Sequence, residues 1–102
     1  MKEEDRATVE RIDALIADEL VSAPVSDPEL AEFRAAMQRP RALTVNFCGG
    51  ITQTCWAVTR PKGPYRVFYL PRADYFSLCI DSMFGPVDIG VHGEATRCFA
   101  SV

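Results

Sequence analysis

At Arg41 the spacing of apolar residues changes period, and this change limits the possible folds more than any motif in the chain. Before it, Val9, Ile12, Ile16 and Leu20 recur at three- and four-residue intervals, Leu15 widens the stripe, and Glu10, Arg11, Asp13, Asp18 and Glu19 fill the gaps. That spacing predicts a surface helix over about residues 4–20. A polar link, V-S-A-P-V-S, follows. Ser26 and Glu29 then stand at capping-box spacing, and Asp27 before Pro28 would equally serve as an N-cap with proline in the first turn. Leu30, Phe33 and Met37 form the buried stripe of this second helix, which Pro40 is expected to end by disfavouring the α conformation at Arg39.

Beyond Arg41 the apolar residues alternate, nine of the ten aromatics lie after residue 46, and Gly or Pro recurs every eight to twelve residues. Strands are expected near 41–48, 51–60, 65–70, 75–81, 86–92 and 96–101. No helical pattern separates them to serve as a parallel crossover, so neighbouring strands must run antiparallel. The expected fold is α+β: two N-terminal helices, about 4–38, packed on one face of an antiparallel meander of about five to six strands, about 41–102, all in one domain spanning 1–102.

Turn chemistry extends this to faces. A two-residue Gly49-Gly50 turn would pair Phe47 with Thr52, Val45 with Thr54 and Leu43 with Trp56. A four-residue P-R-A-D loop, 71–74, pairs Tyr69 with Phe76, Val67 with Leu78 and Tyr65 with Ile80. A Gly93-Glu94 turn would pair Val91 with Thr96 and Ile89 with Cys98. The face meeting the helices then carries Leu43, Val45, Phe47, Trp56, Val58, Tyr65, Val67, Tyr69, Phe76, Leu78, Ile80, Val87, Ile89 and Val91. The second face carries Cys48, Cys55 and Cys79 among Thr44, Asn46, Gln53, Arg66, Phe68, Asp88, His92, Arg97 and Phe99, while Cys98 falls in the core. In this register Cys48 and Cys55 lie four strand positions apart, about 13 Å at about 3.3 Å per residue, which is too far for a disulfide.

The charge is divided. Residues 1–38 hold four basic and ten acidic side chains, net −6, and residues 39–102 hold seven basic and four acidic, net +3. The pI near 5.0 argues against nucleic acid as the main partner, although Arg60, Lys62, Arg66 and Arg72 cluster around one hairpin. Within it, K-G-P-Y-R-V-F-Y resembles the RNA-recognition motif at Lys62, Gly63, Val67 and Tyr69, but Pro64 and Arg66 stand where that family needs stacking aromatics. The acidic opening M-K-E-E-D-R and the absence of a long apolar run lead to the expectation of a cytoplasmic protein with no membrane association and reduced cysteines.

Four cysteines and one histidine raise the question of thiol chemistry, with Cys55 or Cys48 as nucleophile and His92 as base. T-C-W-A-V resembles the C-W-A-F around a papain-type nucleophile, yet that cysteine opens a long helix, and here Pro61 and Gly63 follow within eight residues. The cysteine spacings contain no zinc knuckle and no glycine-rich phosphate loop is present, so neither a metal nor a cofactor is expected. The preferred reading is a binding or regulatory module, expected as a homodimer, that meets a protein partner or a second copy through the second sheet face or a strand edge. Arg66, Phe68, Arg97, Phe99, Asn46 and Gln53 would form the contact. The alternative is a small cysteine-dependent enzyme or ligand-binding protein with a pocket between helices and sheet.

Overall fold

The computed structural model describes residues 2–102. Helix α1 spans Glu3–Ser22, with Glu3, Glu4 and Asp5 in its first turn, where carboxylates favour the positive end of the helix dipole. It stops at Ala23, which adopts the left-handed conformation (φ +46°) and returns its N–H to the Glu19 carbonyl at 2.9 Å. Helix α2, Asp27–Ala36, begins with the capping box: the Ser26 hydroxyl accepts from the Glu29 N–H, and the Glu29 carboxylate accepts from the Ser26 N–H.

Strand β1, Met37–Asn46, starts directly after α2, so Pro40 is inside a strand and does not end the helix. The helix ends earlier because its last carbonyls find partners outside it. Ala36 accepts from the Arg60 N–H at 2.8 Å, and the Arg60 guanidinium reaches the Ala35 carbonyl. Pro40 instead falls where the β1 register shifts between Met37 and Arg41, a position that tolerates a missing N–H. Strands β2 (Thr52–Thr59), β3 (Tyr65–Leu70), β4 (Tyr75–Ser82) and β5 (Gly85–Gly93) follow as an antiparallel meander, confirming the α+β class with five strands.

The meander closes on itself. Odd-numbered strands of an up-and-down sheet share a direction, so β5 meets β1 in parallel, at Asn46 and Val87, and the five strands form a barrel. Closure turns the expected second face into an interior, where Val45, Cys55, Ala57, Phe68, Leu70 and Cys79 form one buried cluster with Leu43 and Phe47 packed against it. The outer cluster joins Ile12, Ile16 and Phe33 of the helices to Trp56, Val58, Val67, Tyr69, Phe76 and Leu78.

Three expectations are corrected. The turn after Asn46 is a 3-10 turn over Cys48–Gly50, with Phe47 donating to Ile51 at 2.7 Å, so Leu43 pairs with Cys55, Thr44 with Thr54 and Val45 with Gln53. The slip of one position moves Leu43, Val45 and Phe47 from the helix side to the barrel interior. On β5 the register shifts opposite Leu78 and Cys79, Gly90 takes φ +80°, and Ile89 and Val91 are exposed rather than core. The expected sixth strand is a helix, α3 (Ala95–Ala100), so the Gly93-Glu94 hairpin does not form. Its buried residues, Ala95, Thr96, Cys98 and Phe99, stand at i, i+1, i+3 and i+4, the spacing of one helix face and not the alternation of a strand. The β3–β4 register agrees with the sequence at Tyr69–Phe76, Val67–Leu78 and Tyr65–Ile80. No helix among the described residues is long and apolar enough to cross a membrane.

Candidate functional site

The residues expected to form one contact surface are dispersed by barrel closure. Phe68 is 0% exposed, inside the barrel beneath the Arg66 guanidinium, 5.3 Å from its ring centre, and Arg66 is itself tied to Asp81 at 2.6 Å. Phe99 points into the outer cluster instead, edge-on to Phe33 at 5.8 Å, because it belongs to α3 and not to a strand. Lys62 covers it, with Nζ 4.5 Å from the ring and 3.1 Å from the Phe99 carbonyl oxygen, and pairs with Glu32. Arg97 is exposed on α3 and bonded to Glu94 at 2.7 Å, and Gln53 faces Val45 on β2. With Arg60, Lys62 and Arg66 all engaged within the chain, the basic cluster of the sequence is largely spent on structure.

The thiols are equally separate. Cys48 is exposed on the 3-10 turn, Cys55 and Cys79 are buried in the barrel, Cys98 belongs to α3 and is buried in the outer cluster, and all four are free. Burial, reinforced by the negative charge of Asp88, pushes the Cys55 thiol up to about 11. Burial pushes Cys79 up further, and Cys98 to about 12. These three are therefore thiols at neutral pH, the opposite of what a nucleophile needs. His92 stacks on Tyr75, ring centres 4.9 Å apart, and its Nε2 lies 3.2 Å from Asp88 Oδ2. The other oxygen of Asp88 accepts from the buried Ser77 hydroxyl. The order is hydroxyl, carboxylate, imidazole. A serine nucleophile needs the imidazole in the middle to take its proton, so this chain of contacts serves the half-buried Asp88 carboxylate and does not activate Ser77. Among the described residues no group of three His, Cys, Asp or Glu side chains could hold a metal ion.

Two other features present chemistry to solvent. The first is the β4–β5 turn, where Met83 is 91% and Phe84 85% exposed, side by side. The turn is firmly held: the Ser82 hydroxyl donates to the Gly85 carbonyl at 2.7 Å and accepts from the Phe84 N–H at 3.1 Å. From β1, the Asn46 amide donates to the carbonyls of Phe84 and Pro86 at 3.1 and 3.2 Å. Gly85, paired with Ser82 across the two-residue Met83-Phe84 loop, takes φ +101°, a conformation that favours glycine. Asn46 thus acts on this site from behind. The string S-M-F-G was available in the sequence, with Ser and Gly at turn positions around two large apolar residues; the signal was their placement between two expected strands.

The second is a cleft of about 390 Å³ where α1 faces the 71–74 loop and the β5–α3 junction, floored by Leu15, Tyr75 and Phe76. Glu19 at its base is buried and accepts from the Ala95 N–H (2.9 Å), the Thr96 N–H (2.8 Å) and the Thr96 hydroxyl (2.8 Å). Asp74 at its edge takes both Nε and Nη2 of Arg11, at 3.1 and 2.8 Å, together with the Tyr69 hydroxyl. Those donors hold its carboxyl down at about 2, Arg11 first. Tyr69 rises to about 12 in turn, through burial and then Asp74.

Comparison of the chain with known protein families, with curated proteins and with solved structures found no match.

Proposed function

We propose that the protein is a small binding module that engages a protein partner, or a second copy of itself, through the tip of the β4–β5 hairpin. The observation that carries this reading is the adjacent pair Met83 and Phe84, both almost fully exposed on a turn that Ser82 and Asn46 hold in one conformation. Single exposed apolar residues are ordinary, but two large ones occupying turn positions usually given to polar residues or glycine are not. A preordered aromatic and thioether pair loses little freedom on entering an apolar pocket, and aromatic anchors dominate the energy of such contacts. The contact thus moves from the barrel interior, where Phe68 is enclosed, to the hairpin that Asn46 supports. The raised Cys55, Cys79 and Cys98 thiols favour this reading over a cysteine-dependent enzyme.

Phe84→Asp tests it. The substitution removes no buried contact, so thermal unfolding should stay within about 0.5 kcal/mol of wild type. Self-association measured by sedimentation velocity, or capture of a protein from the source cell, should weaken more than tenfold, equivalent to about 1.4 kcal/mol. A folded variant with unchanged self-association and unchanged captured proteins would remove the hairpin tip from consideration.

A further inference from the structure

Closure of the barrel leaves one strand edge open. Only Asn46 and Val87 pair across the seam between β1 and β5. The ladder cannot run further back from that pair, because the next bond would need an N–H from Pro86 for the Thr44 carbonyl, and proline has none. β5 itself begins at Gly85, level with Thr44, so the earlier part of β1 has no strand beside it on this side. The ladder on the other side fixes where its free groups point. Phe47 donates to Ile51, and bonded residues alternate in an antiparallel pair, so Val45 and Leu43 bond to β2 while Thr44 and Ala42 turn N–H and C=O toward the open edge. Both are exposed, and their small side chains leave room for another backbone.

We infer that this edge of β1 is a second contact surface, independent of the hairpin tip, which takes up an extended acidic peptide segment as an added strand. Main-chain bonds to Ala42 and Thr44 would hold the segment, and charge would select it. Arg39 and Arg41 are exposed, and among the described residues neither makes an ion pair or a side-chain hydrogen bond, whereas Arg6, Arg11, Arg66 and Arg97 are all paired. Carboxylates on an incoming strand would meet these two guanidinium groups across the ladder. The same charges, with Pro40 between them, disfavour a second copy of β1 here, since pairing two copies gathers four arginines along one short seam. The edge thus repels its own kind and attracts the opposite charge, which is how an open strand acquires specificity.

The test is a titration of the full chain with an end-blocked octapeptide alternating glutamate and threonine, followed by amide chemical shifts and hydrogen exchange. The peptide should shift Ala42 and Thr44 saturably and slow exchange of their N–H groups. Its lysine counterpart should not bind, and neither should a fully N-methylated version, which keeps the charge but has no N–H to donate. Arg41→Gln should weaken binding about threefold, as befits one exposed ion pair. Ala42→Pro removes an N–H that β2 does not use, so it should abolish binding with the fold's spectrum intact. Phe84→Ser should leave binding unchanged, which separates failure of this edge from failure of the hairpin. Absence of saturable shifts, equal binding of the lysine or N-methylated peptide, unaltered affinity in both folded β1 variants, or loss of binding in Phe84→Ser would each overturn the inference. Protection of Ala42 and Thr44 that rises with protein concentration alone would overturn it too, by assigning the edge to a second copy.

Discussion

Glu19 shows how a residue with an ordinary sequence context can acquire a special role. It sits among the polar residues of an amphipathic helix, and nothing local distinguishes it from Asp18 or Glu10. In the folded chain it is buried and caps α3, a six-residue helix whose own N-cap residue, Glu94, makes no side-chain cap bond. The partners lie 76 and 77 positions away, so no reading of neighbours along the chain could find them. Glu19→Ala leaves two buried N–H groups and a hydroxyl without acceptors, at an expected cost of about 2–4 kcal/mol. Glu19→Gln retains one acceptor oxygen and should cost roughly half as much. Urea midpoints measure the cost, and faster exchange at the Ala95 and Thr96 amides would locate it; an unchanged midpoint for Glu19→Ala would show that the cap is dispensable. Ala23 is a simpler case. It holds φ +46° at the end of α1, a conformation in which a Cβ is unfavourable, so Ala23→Gly should raise stability by about 0.5–1 kcal/mol despite the added freedom of the unfolded chain. A lower melting midpoint would refute this.

Elements were legible where their determinants are local. The capping box at Ser26 and Glu29 and the β3–β4 register each depend on a few adjacent residues, and both form as the sequence indicates. The β1–β2 register was not, because two glycines accommodate a three-residue turn as readily as a two-residue one, and a single step exchanges the faces of Leu43, Val45 and Phe47. The 71–74 loop illustrates the local case and makes a pH prediction. Asp74 adopts φ +57°, accessible to Asp and Asn, and its carboxylate joins Arg11 of α1 to Tyr69 of β3. Its pKa falls from 3.8 to about 2 on folding. The stabilisation is therefore fully present above about pH 4 and is lost as pH drops through about 2, since the unfolded chain takes up the proton first. Wild type should lose more stability than Asp74→Asn between pH 4 and pH 2, by a modest margin because the site is open to solvent. Parallel loss in the two proteins, followed by thermal midpoints, would mean that the bridge contributes nothing.

For the molecule as a whole, closure of the sheet is what an alternating pattern could not reveal. The mixture of thiols, rings and charges on the second face suits a barrel interior, with the apolar residues and cysteines at its centre and charged groups such as Arg66 and Asp81 paired at the side. An open sheet would have presented the same residues to a partner, so the choice between core and interface rested on a pairing, Asn46 with Val87, forty-one residues apart in the chain. Two clusters now share one sheet, and the cysteines report on both: Cys55 and Cys79 from inside the barrel, Cys98 from α3 in the outer cluster. In native protein a disulfide reagent should modify Cys48 alone, because the other three are buried and their thiols are pushed up. Rapid native reaction at Cys55 would instead restore the case for a catalytic thiol. With increasing urea the three protected thiols should become reactive together, since losing either cluster strips one face of the strands that the other needs. If Cys98 is modified at distinctly lower urea than Cys55 and Cys79, the helical layer opens on its own and the barrel is the independent folding unit.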